Sequence, residues 1–231
     1  YFNNKNLVKK KKIRSLVTTG PTREYLDPVR YISNESSGKQ GYEIALALSK
    51  LGVKTTLIAG PTSINFSKDI SVKKIINADE MMSVIQKLLP VDVAVCAAAV
   101  ADFKPKNKNK QKIKKNNQNF NILNLEKNID ILEYLSKNNK LRPKLVVGFS
   151  AETENLIKNS TRKMNQKYCD MMVANDVSKK ETGFNVDFNK ISIIEKNGKI
   201  ENINKNTKSY IASKIAKKII DKLLIDDKNT N

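Results

Sequence analysis

The chain has 231 residues with 39% hydrophobic content, enough for one large core, and carries 43 basic against 23 acidic residues, a formal net charge of +20. It has no histidine, which excludes a Ser-His relay, a Cys-His pair and any histidine-ligated metal and leaves carboxylates, lysines, arginines, backbone dipoles and Mg²⁺, the parts used in phosphoryl and nucleotidyl transfer. No apolar run approaches the roughly 18 to 20 residues of a spanning helix, and the first residues lack the apolar core of a signal peptide, so a cytoplasmic location is expected.

Residues 1–12 are polar and lysine-rich and read as a linker from an upstream domain. An apolar run at 13–18, with Leu16 and Val17, predicts a first strand. It empties into GPTREYLDPVRYISNESSGKQG at 20–41, and a helix is predicted over 38–51, carrying Ile44, Ala45, Leu46, Ala47 and Leu48 before a Gly52 stop. The loop between them holds Gly20, Thr22, Asn34, Ser36, Ser37, Gly38 and two arginines. Such a set of backbone donors, hydroxyls and fixed positive charge is expected to bind a phosphate or carboxylate.

A second strand follows at 54–59 and closes on another Gly-Pro-Thr at 60–62. A helix over 79–89, a strand at 92–97, a helix near 129–138, a strand at 145–149, a helix over 153–168 and a strand at 171–174 continue the order. This alternation predicts an α/β fold with a doubly wound, mainly parallel, Rossmann-like sheet. The tail changes pattern: Asn197-Gly198 between apolar runs at 191–195 and 200–203 predicts a β-hairpin. An amphipathic helix over 208–224 closes it, with Ile211, Ile215, Ile219 and Leu223 every four residues. One domain over 13–226 is expected, with 227–231 a polar tail. The lysine, asparagine and glutamine run at 104–119 fits neither period and reads as a flap or a solvated loop.

Ligands of open α/β sheets bind beyond the carboxyl ends of the strands. After the strand at 92–97 come Ala97, Ala98, Ala99, Val100, Ala101 and Asp102. Small residues there would let a base or sugar lie against the backbone, and Asp102 could hold ribose hydroxyls or a metal; a helix N-cap or turn aspartate is the alternative. Neither a Walker loop nor GxGxxG is present, which weakens a nicotinamide-dependent oxidoreductase reading. A basic nucleic-acid-binding module is a third reading, weakened by scattered lysines and by seven Phe, seven Tyr and no Trp as stacking platforms. The charge instead favours attraction of small polyanions. Cys96 and Cys169 lie in apolar runs without metal-ligand spacing and read as buried hydrophobes.

The string at 20–41, AAAVADFKPK at 97–106, KIKK at 112–115, VGFSAET at 147–153, ANDV at 174–177 and GFNVDFNKISII at 183–194 resemble, in this order, the phosphopantothenoylcysteine synthetases. More closely they resemble the synthetase half of bacterial bifunctional coenzyme A biosynthesis proteins, over about residues 12 to 224. The resemblance implies a ligase that joins 4′-phosphopantothenate to L-cysteine at the expense of CTP, with Mg²⁺, through an acyl-cytidylate. It implies that Asn34 contacts the acyl-cytidylate carbonyl, that Arg30 assists amide formation and that Lys112 neutralises the triphosphate from a flap. Cys96, Ala97, Ala98, Asp102, Ile129, Asp130, Ile131, Leu132 and Phe149 match the nucleotide pocket of the family, and Lys163 and Lys167 its basic nucleotide contacts. Ser36, Ser37 and Gly38, with Ala99, are expected at a substrate or phosphate, and Asp102 is a candidate metal ligand. Ile129 stands where a proline often occurs. The resemblance also implies a homodimer with active sites completed across its interface, and an FMN-dependent decarboxylase domain ahead of residue 1.

Overall fold

Consecutive residues of the first strand, β1 (Arg14–Thr19), face opposite ways, so that Leu16 enters one apolar layer and Val17 the other. Both are fully buried, the signature of a central strand covered on two faces. The computed structural model describes residues 13–114, 122–137, 140–178 and 186–229. The chain continues through β2 (Arg23–Tyr25), β3 (Tyr31–Ser33), α1 (Lys39–Lys50), β4 (Lys54–Ala59), β5 (Ser71–Lys74), α2 (Ala78–Leu88), β6 (Val93–Cys96), β7 (Phe103–Pro105), β8 (Leu125–Lys127), α3 (Ile131–Lys137), β9 (Leu145–Glu152), α4 (Leu156–Lys167), β10 (Met171–Asp176), β11 (Phe188–Glu195), β12 (Ile200–Thr207) and α5 (Lys208–Asn229).

Eight strands form one sheet in the order β12-β11-β10-β9-β6-β1-β4-β5. From β5 to β10 every neighbour is parallel, and the β11–β12 hairpin adds antiparallel at the β10 edge. After β1 the chain builds outward on one side through β4 and then returns to place β6 on the other. The strand order therefore reverses at β1 and β6, the crevice where ligands of doubly wound sheets bind.

Helices cover both faces. On one, Ile44 and Leu48 of α1 and Ile211, Ile215 and Ile219 of α5 pack over Val17, Leu57, Val95 and Val147. On the other, Met81 and Ile85 of α2, Leu135 of α3 and Met164 of α4 pack over Leu16, Ile58, Ala94 and Val146. Leu48→Ala in the first layer would open a cavity costing about 2–5 kcal/mol. The α5 helix is also held by charge: buried Glu195 of β11 meets Lys218 at 3.0 Å and Lys222 at 2.6 Å. Burial opposes ionisation of Glu195, but the two ammonium groups keep its carboxyl below its ordinary range.

The α/β class, the parallel sheet, the hairpin and the closing helix agree with the sequence. Differences lie at ends and in small pieces. The predicted helix at 129–138 begins at Ile131, because Asp130 caps it: its Oδ1 accepts from the Glu133 N–H at 2.8 Å. The closing helix runs on to Asn229, so residues 227–229, expected as tail, are helical. Lys104 and Pro105 belong to β7, which pairs with β8 as a ribbon at the base of the long polar insert. The β2–β3 ribbon and the exposed edge strand β5 were not predicted. The linker expected at 1–12, and 115–119 of the polar insert, lie outside the described residues.

Candidate active site

The exits of β1 and β6 are bonded side by side, which extends the sheet into its own loops. Ala97 N–H donates to the Thr18 carbonyl at 3.2 Å, Ala99 N–H to the Gly20 carbonyl at 2.9 Å and Ala101 N–H to Thr22 Oγ1 at 3.1 Å. Ala98 N–H reaches Thr18 Oγ1 at 3.2 Å. The small side chains of 97–101 thus line a rim of fixed backbone. Gly38, at φ +74°, turns the chain into α1 here; a Cβ on it would come within 2.8 Å of Thr62 and 3.3 Å of the Gly20 backbone. The two Gly-Pro-Thr turns seen in the sequence therefore pack together beneath the α1 N-terminus.

Around this rim opens a cleft of about 900 Å³, within the roughly 300–1,000 Å³ of small-molecule sites. Of the residues singled out from the sequence, Asn34, Ser36, Ser37, Gly38, Cys96, Ala97, Ala98, Ala99, Asp102, Ile129, Asp130, Ile131, Leu132, Phe149, Lys163 and Lys167 all line it. They come from five separate loops or elements, and the fold brings them to one cavity. Asn34 is oriented by its Nδ2 donating to the Val100 carbonyl at 3.0 Å. The first turn of α1 carries no acidic side chain, which leaves its positive dipole end open to an anion. Ser36 Oγ accepts from the Gly38 N–H at 3.2 Å.

The α3–α4 side of the cleft is a network of charge. Lys167 meets Asp130 at 2.6 Å and Glu133 at 3.0 Å; these bonds, Asp130 first, raise its ammonium above the ordinary lysine range against the effect of burial. Bonds from Lys137 and Lys167 lower Glu133 in turn. Lys163 lies one turn before Lys167 on α4 and is half-buried in the same wall. Cys96 also lines the cleft, but burial, reinforced by Cys169 and Asp130, pushes its thiol well up. It offers no thiolate nucleophile at neutral pH. Burial raises Cys169 to about 11.

Arg30 and Lys112 are the two candidates that do not line the cleft. They sit together on an adjoining knot. Asp27, fully buried in the β2–β3 turn, accepts from the N–H groups of Val29 at 2.8 Å, Arg30 at 2.9 Å and Ile113 at 3.2 Å and from Arg30 Nε at 3.0 Å. Arg30 Nη2 also donates to the Ile113 carbonyl at 2.6 Å, and Asn109 N–H to the Leu26 carbonyl at 2.8 Å. The limb of the polar insert that carries exposed Lys112 is thereby tied to the ribbon turn that carries Arg30. Burial works against the Asp27 charge, but the Val29, Ile113 and Arg30 amides and the guanidinium outweigh it and hold the carboxyl at about 2.

Asp102 is exposed, and no helix follows it; it opens the turn into β7, its carbonyl accepting from the Asn128 N–H at 2.8 Å. Among the described residues no group of three His, Cys, Asp or Glu stands ready to hold a metal. A Mg²⁺ bound through one or two carboxylates and substrate phosphates needs no such group, so Asp102 fits that use. Lys39 and Gln40, at the end of the 20–41 stretch expected to bind an anion, also line the cleft, and Asn189 and Lys208, not expected there, join them. They meet only once β11 and α5 are folded against α1, and no local period announces that. Asn175, at the end of β10, also lines the cleft, with its Oδ1 buried and unpartnered. Among the described residues no helix is long and apolar enough to cross a membrane.

Comparison with known proteins finds relatives over nearly the whole chain. The DNA/pantothenate metabolism flavoprotein C-terminal domain matches residues 9–223. The chain is 39% identical over 218 residues to the coenzyme A biosynthesis bifunctional protein CoaBC of Borreliella burgdorferi, covering 94% of this chain and 54% of that protein. It thus spans about half the length of that relative. The crystal structure of a C-terminal domain of a CoaBC protein superposes with a TM-score of 0.76 at 34% identity, over 94% of this chain and 97% of that one. A Cab2 H337A mutant in complex with phosphopantothenate-cysteine, 16% identical over 95% of this chain and 90% of its own, shares the fold with a TM-score of 0.73. With nearly its whole described length matched, the chain belongs to the family of the DNA/pantothenate metabolism flavoprotein C-terminal domain.

Proposed function

We propose that this chain is a phosphopantothenate–cysteine ligase of coenzyme A biosynthesis, and that CTP is its activating nucleotide. The observation that carries the reading is the convergence of sixteen of the eighteen residues singled out from the sequence on one cleft at the strand-order reversal. The CoaBC relatives and the phosphopantothenate-cysteine bound to a fold neighbour support the same substrate class.

In the first step the phosphopantothenate carboxylate attacks the nucleotide α-phosphorus. A P–O bond forms, the bond to the β-phosphate oxygen breaks, and pyrophosphate leaves. In the second step the free amine of L-cysteine attacks the acyl carbon, an amide forms, CMP departs and the amine loses a proton. Neither step needs histidine. Activation gathers negative charge, so it rests on electrostatic stabilisation, and amide formation rests on orientation. The α1 N-terminus and Ser36 to Gly38 receive phosphate oxygens, and Ala97 to Ala99 let the nucleoside lie on backbone. Asn34 contacts the acyl carbonyl, and the buried acceptor of Asn175 is available to a substrate N–H or O–H. Asp102, with phosphate oxygens, would hold Mg²⁺, which supplies charge neutralisation on the polyphosphate.

Arg30 and Lys112 stand outside the cleft of their own chain, which supports a homodimer in which the knot bearing both reaches the cleft of the partner. Two thiols pushed away from ionisation suit a cytoplasmic enzyme that handles free cysteine. Incubation with CTP, 4′-phosphopantothenate, L-cysteine and Mg²⁺ should release one pyrophosphate and one CMP per amide formed. Release with ATP in place of CTP would correct the nucleotide, and release with neither would reject the ligase.

A further inference from the structure

The second Gly-Pro-Thr, at 60–62, has no part in the lining of the cleft. It leaves β4 as the first leaves β1, and the Gly60 N–H donates to the Thr19 carbonyl at 2.9 Å, so the two turns stand side by side at the carboxyl ends of neighbouring strands. In a sheet of this kind ligands bind at those ends. A second cavity, of about 520 Å³, opens there, lined by Arg23, Ser36, Ser37, Pro61, Thr62 and Ser63. Ser36 and Ser37 line the cleft as well, so their turn is the partition between the two spaces.

The chemistry of this cavity is one-sided. The Arg23 guanidinium lies 4.6 Å from the centre of the Tyr31 ring, an aromatic seat that takes none of its hydrogen-bonding capacity in the ring plane. Among the described residues no carboxylate pairs with it and no acceptor takes its side-chain N–H groups. Ser36 Oγ accepts from the Gly38 N–H at 3.2 Å, Ser37 Oγ from the Lys39 N–H at 3.5 Å and Thr62 Oγ1 from the Ile64 N–H at 3.4 Å. Each of these hydroxyls spends a lone pair and keeps its proton, and Ser63 adds a fourth from an exposed position. Among the described residues none of the four gives that proton to a protein acceptor, and no acidic side chain lines the cavity. A guanidinium with four hydroxyl protons complements a group that has several anionic oxygens and no donor. A phosphomonoester, with three such oxygens, matches both the arginine fork and the hydroxyls.

The place of the cavity says which phosphate it takes. No residue matched to the nucleotide, from Cys96 to Lys167, lines it. Asn34, expected at the acyl carbonyl, stands on the cleft side of the partition, two residues before Ser36. A chain whose carboxyl group lies at Asn34 can cross the 36–37 turn and set its far end at Arg23. We propose that Arg23, with Ser37, Thr62 and Ser63, forms a phosphomonoester subsite behind that turn, which takes the terminal phosphate of the acid substrate and not the polyphosphate of the nucleotide. The identity of this ligand rests on the ligase reading; the affinity of the cavity for a phosphate group does not.

The test reads the subsite in two ways. In the first, the Arg23 side-chain N–H resonance, assigned by its loss in Arg23→Lys, is followed by NMR while inorganic phosphate is added. It should shift and saturate in wild type, and Ser63→Asp, which sets a carboxylate in the cavity from an exposed position, should weaken phosphate about tenfold. A resonance that phosphate does not move overturns the subsite, with no turnover required. In the second, Arg23→Gln should raise the KM for phosphopantothenate roughly 10- to 100-fold, the loss of hydrogen bonds to a charged group, and keep the KM for CTP within about twofold of wild type. Arg23→Lys, which retains the charge without the fork, should recover part of that loss. An unchanged KM for phosphopantothenate, or a KM for CTP that rises with it or alone, overturns the assignment. If Arg23→Gln does not fold, Ser63→Asp carries the same kinetic comparison. Absence of pyrophosphate release from any nucleotide would sink the ligase, while the resonance titration would still decide the cavity.

Discussion

The rim of the cleft continues buried strands, whereas Arg30 and Lys112 stand on a ribbon turn and a loop limb joined by one buried carboxylate and two bonds to backbone carbonyls. At the rim, Ala97, Ala98, Ala99 and Ala101 each donate to the exit of β1, so a displacement there would have to disturb the sheet. At the knot, Asp27 gathers three N–H groups and one guanidinium, and losing it would loosen both cationic residues at once. Groups that recognise a ligand are built on the sheet rim, and groups expected to act on transferring charge are built on a part held by three ties, of which Asp27 is the only side-chain carboxylate. That division suits the proposed dimer, in which binding geometry would be constant and charge neutralisation would come from the partner subunit.

Removing the delivered charge should have the largest effect. Lys112→Gln is expected to lower pyrophosphate release by about 10³-fold or more, since offsetting developing phosphate charge is commonly the largest catalytic contribution. Because Lys112 is exposed, thermal stability should stay within about 0.5 kcal/mol of wild type. Unchanged pyrophosphate release would place activation wholly in the rim. Asn34→Asp tests the rim itself: the new carboxylate faces the Val100 carbonyl that now accepts from Nδ2 and adds negative charge to an already anionic intermediate. A fall of about 10²-fold in amide formation is expected, with little acyl-cytidylate retained in a quench assay.

The same contrast explains what could be read from the sequence. Leu16, Val17, Val93, Ala94, Val146 and Val147 are buried in central parallel strands, and such strands appear as continuous apolar runs that need no partner to be recognised. The helices announced themselves through their period, and the hairpin through Asn197-Gly198, with Gly198 at φ +86° as the turn requires. The ribbons had no such voice. Arg23-Glu24-Tyr25 and Phe103-Lys104-Pro105 are three-residue strands, mostly polar or partly exposed, and the partner of the second lies beyond the long insert at Leu125–Lys127. The edge strand Ser71–Lys74 is equally polar. Within the site, residues on loops after strands were legible because fold class alone says where such loops converge. Lys208 and Asn189 were not, since they reach the cleft through the antiparallel hairpin and a helix that read only as closing structure.

Asp27 allows the carboxylate tie itself to be weighed. Asp27→Asn loses the charge that organises the Arg30 guanidinium and the Ile113 amide, and misplacing Lys112 by about 1 Å can cost up to about 10²-fold. A loss smaller than that of Lys112→Gln but present in both half-reactions is expected, since Arg30 moves with it. Arg30→Gln alone should slow only amide formation and let acyl-cytidylate accumulate. Equal slowing of both steps by Arg30→Gln would mean that the arginine serves the knot and not the reaction.

The smallest effect is on stability against acid, and its sign follows from the same bonds. The Asp27 carboxyl sits at about 2 in the folded chain against 3.8 for an ordinary aspartate. A carboxyl lowered by folding adds stability that is complete above its unfolded value and drains away as pH falls through its folded one. Wild type should therefore lose this contribution between pH 3.8 and about 2, while Asp27→Asn has no charge there to lose. Thermal melts of both proteins across that window should converge as pH falls, the wild-type advantage shrinking with each step. Parallel curves would mean that the amides of Val29, Arg30 and Ile113 grip the neutral side chain as well as the ionised one, and that shape holds the knot without charge.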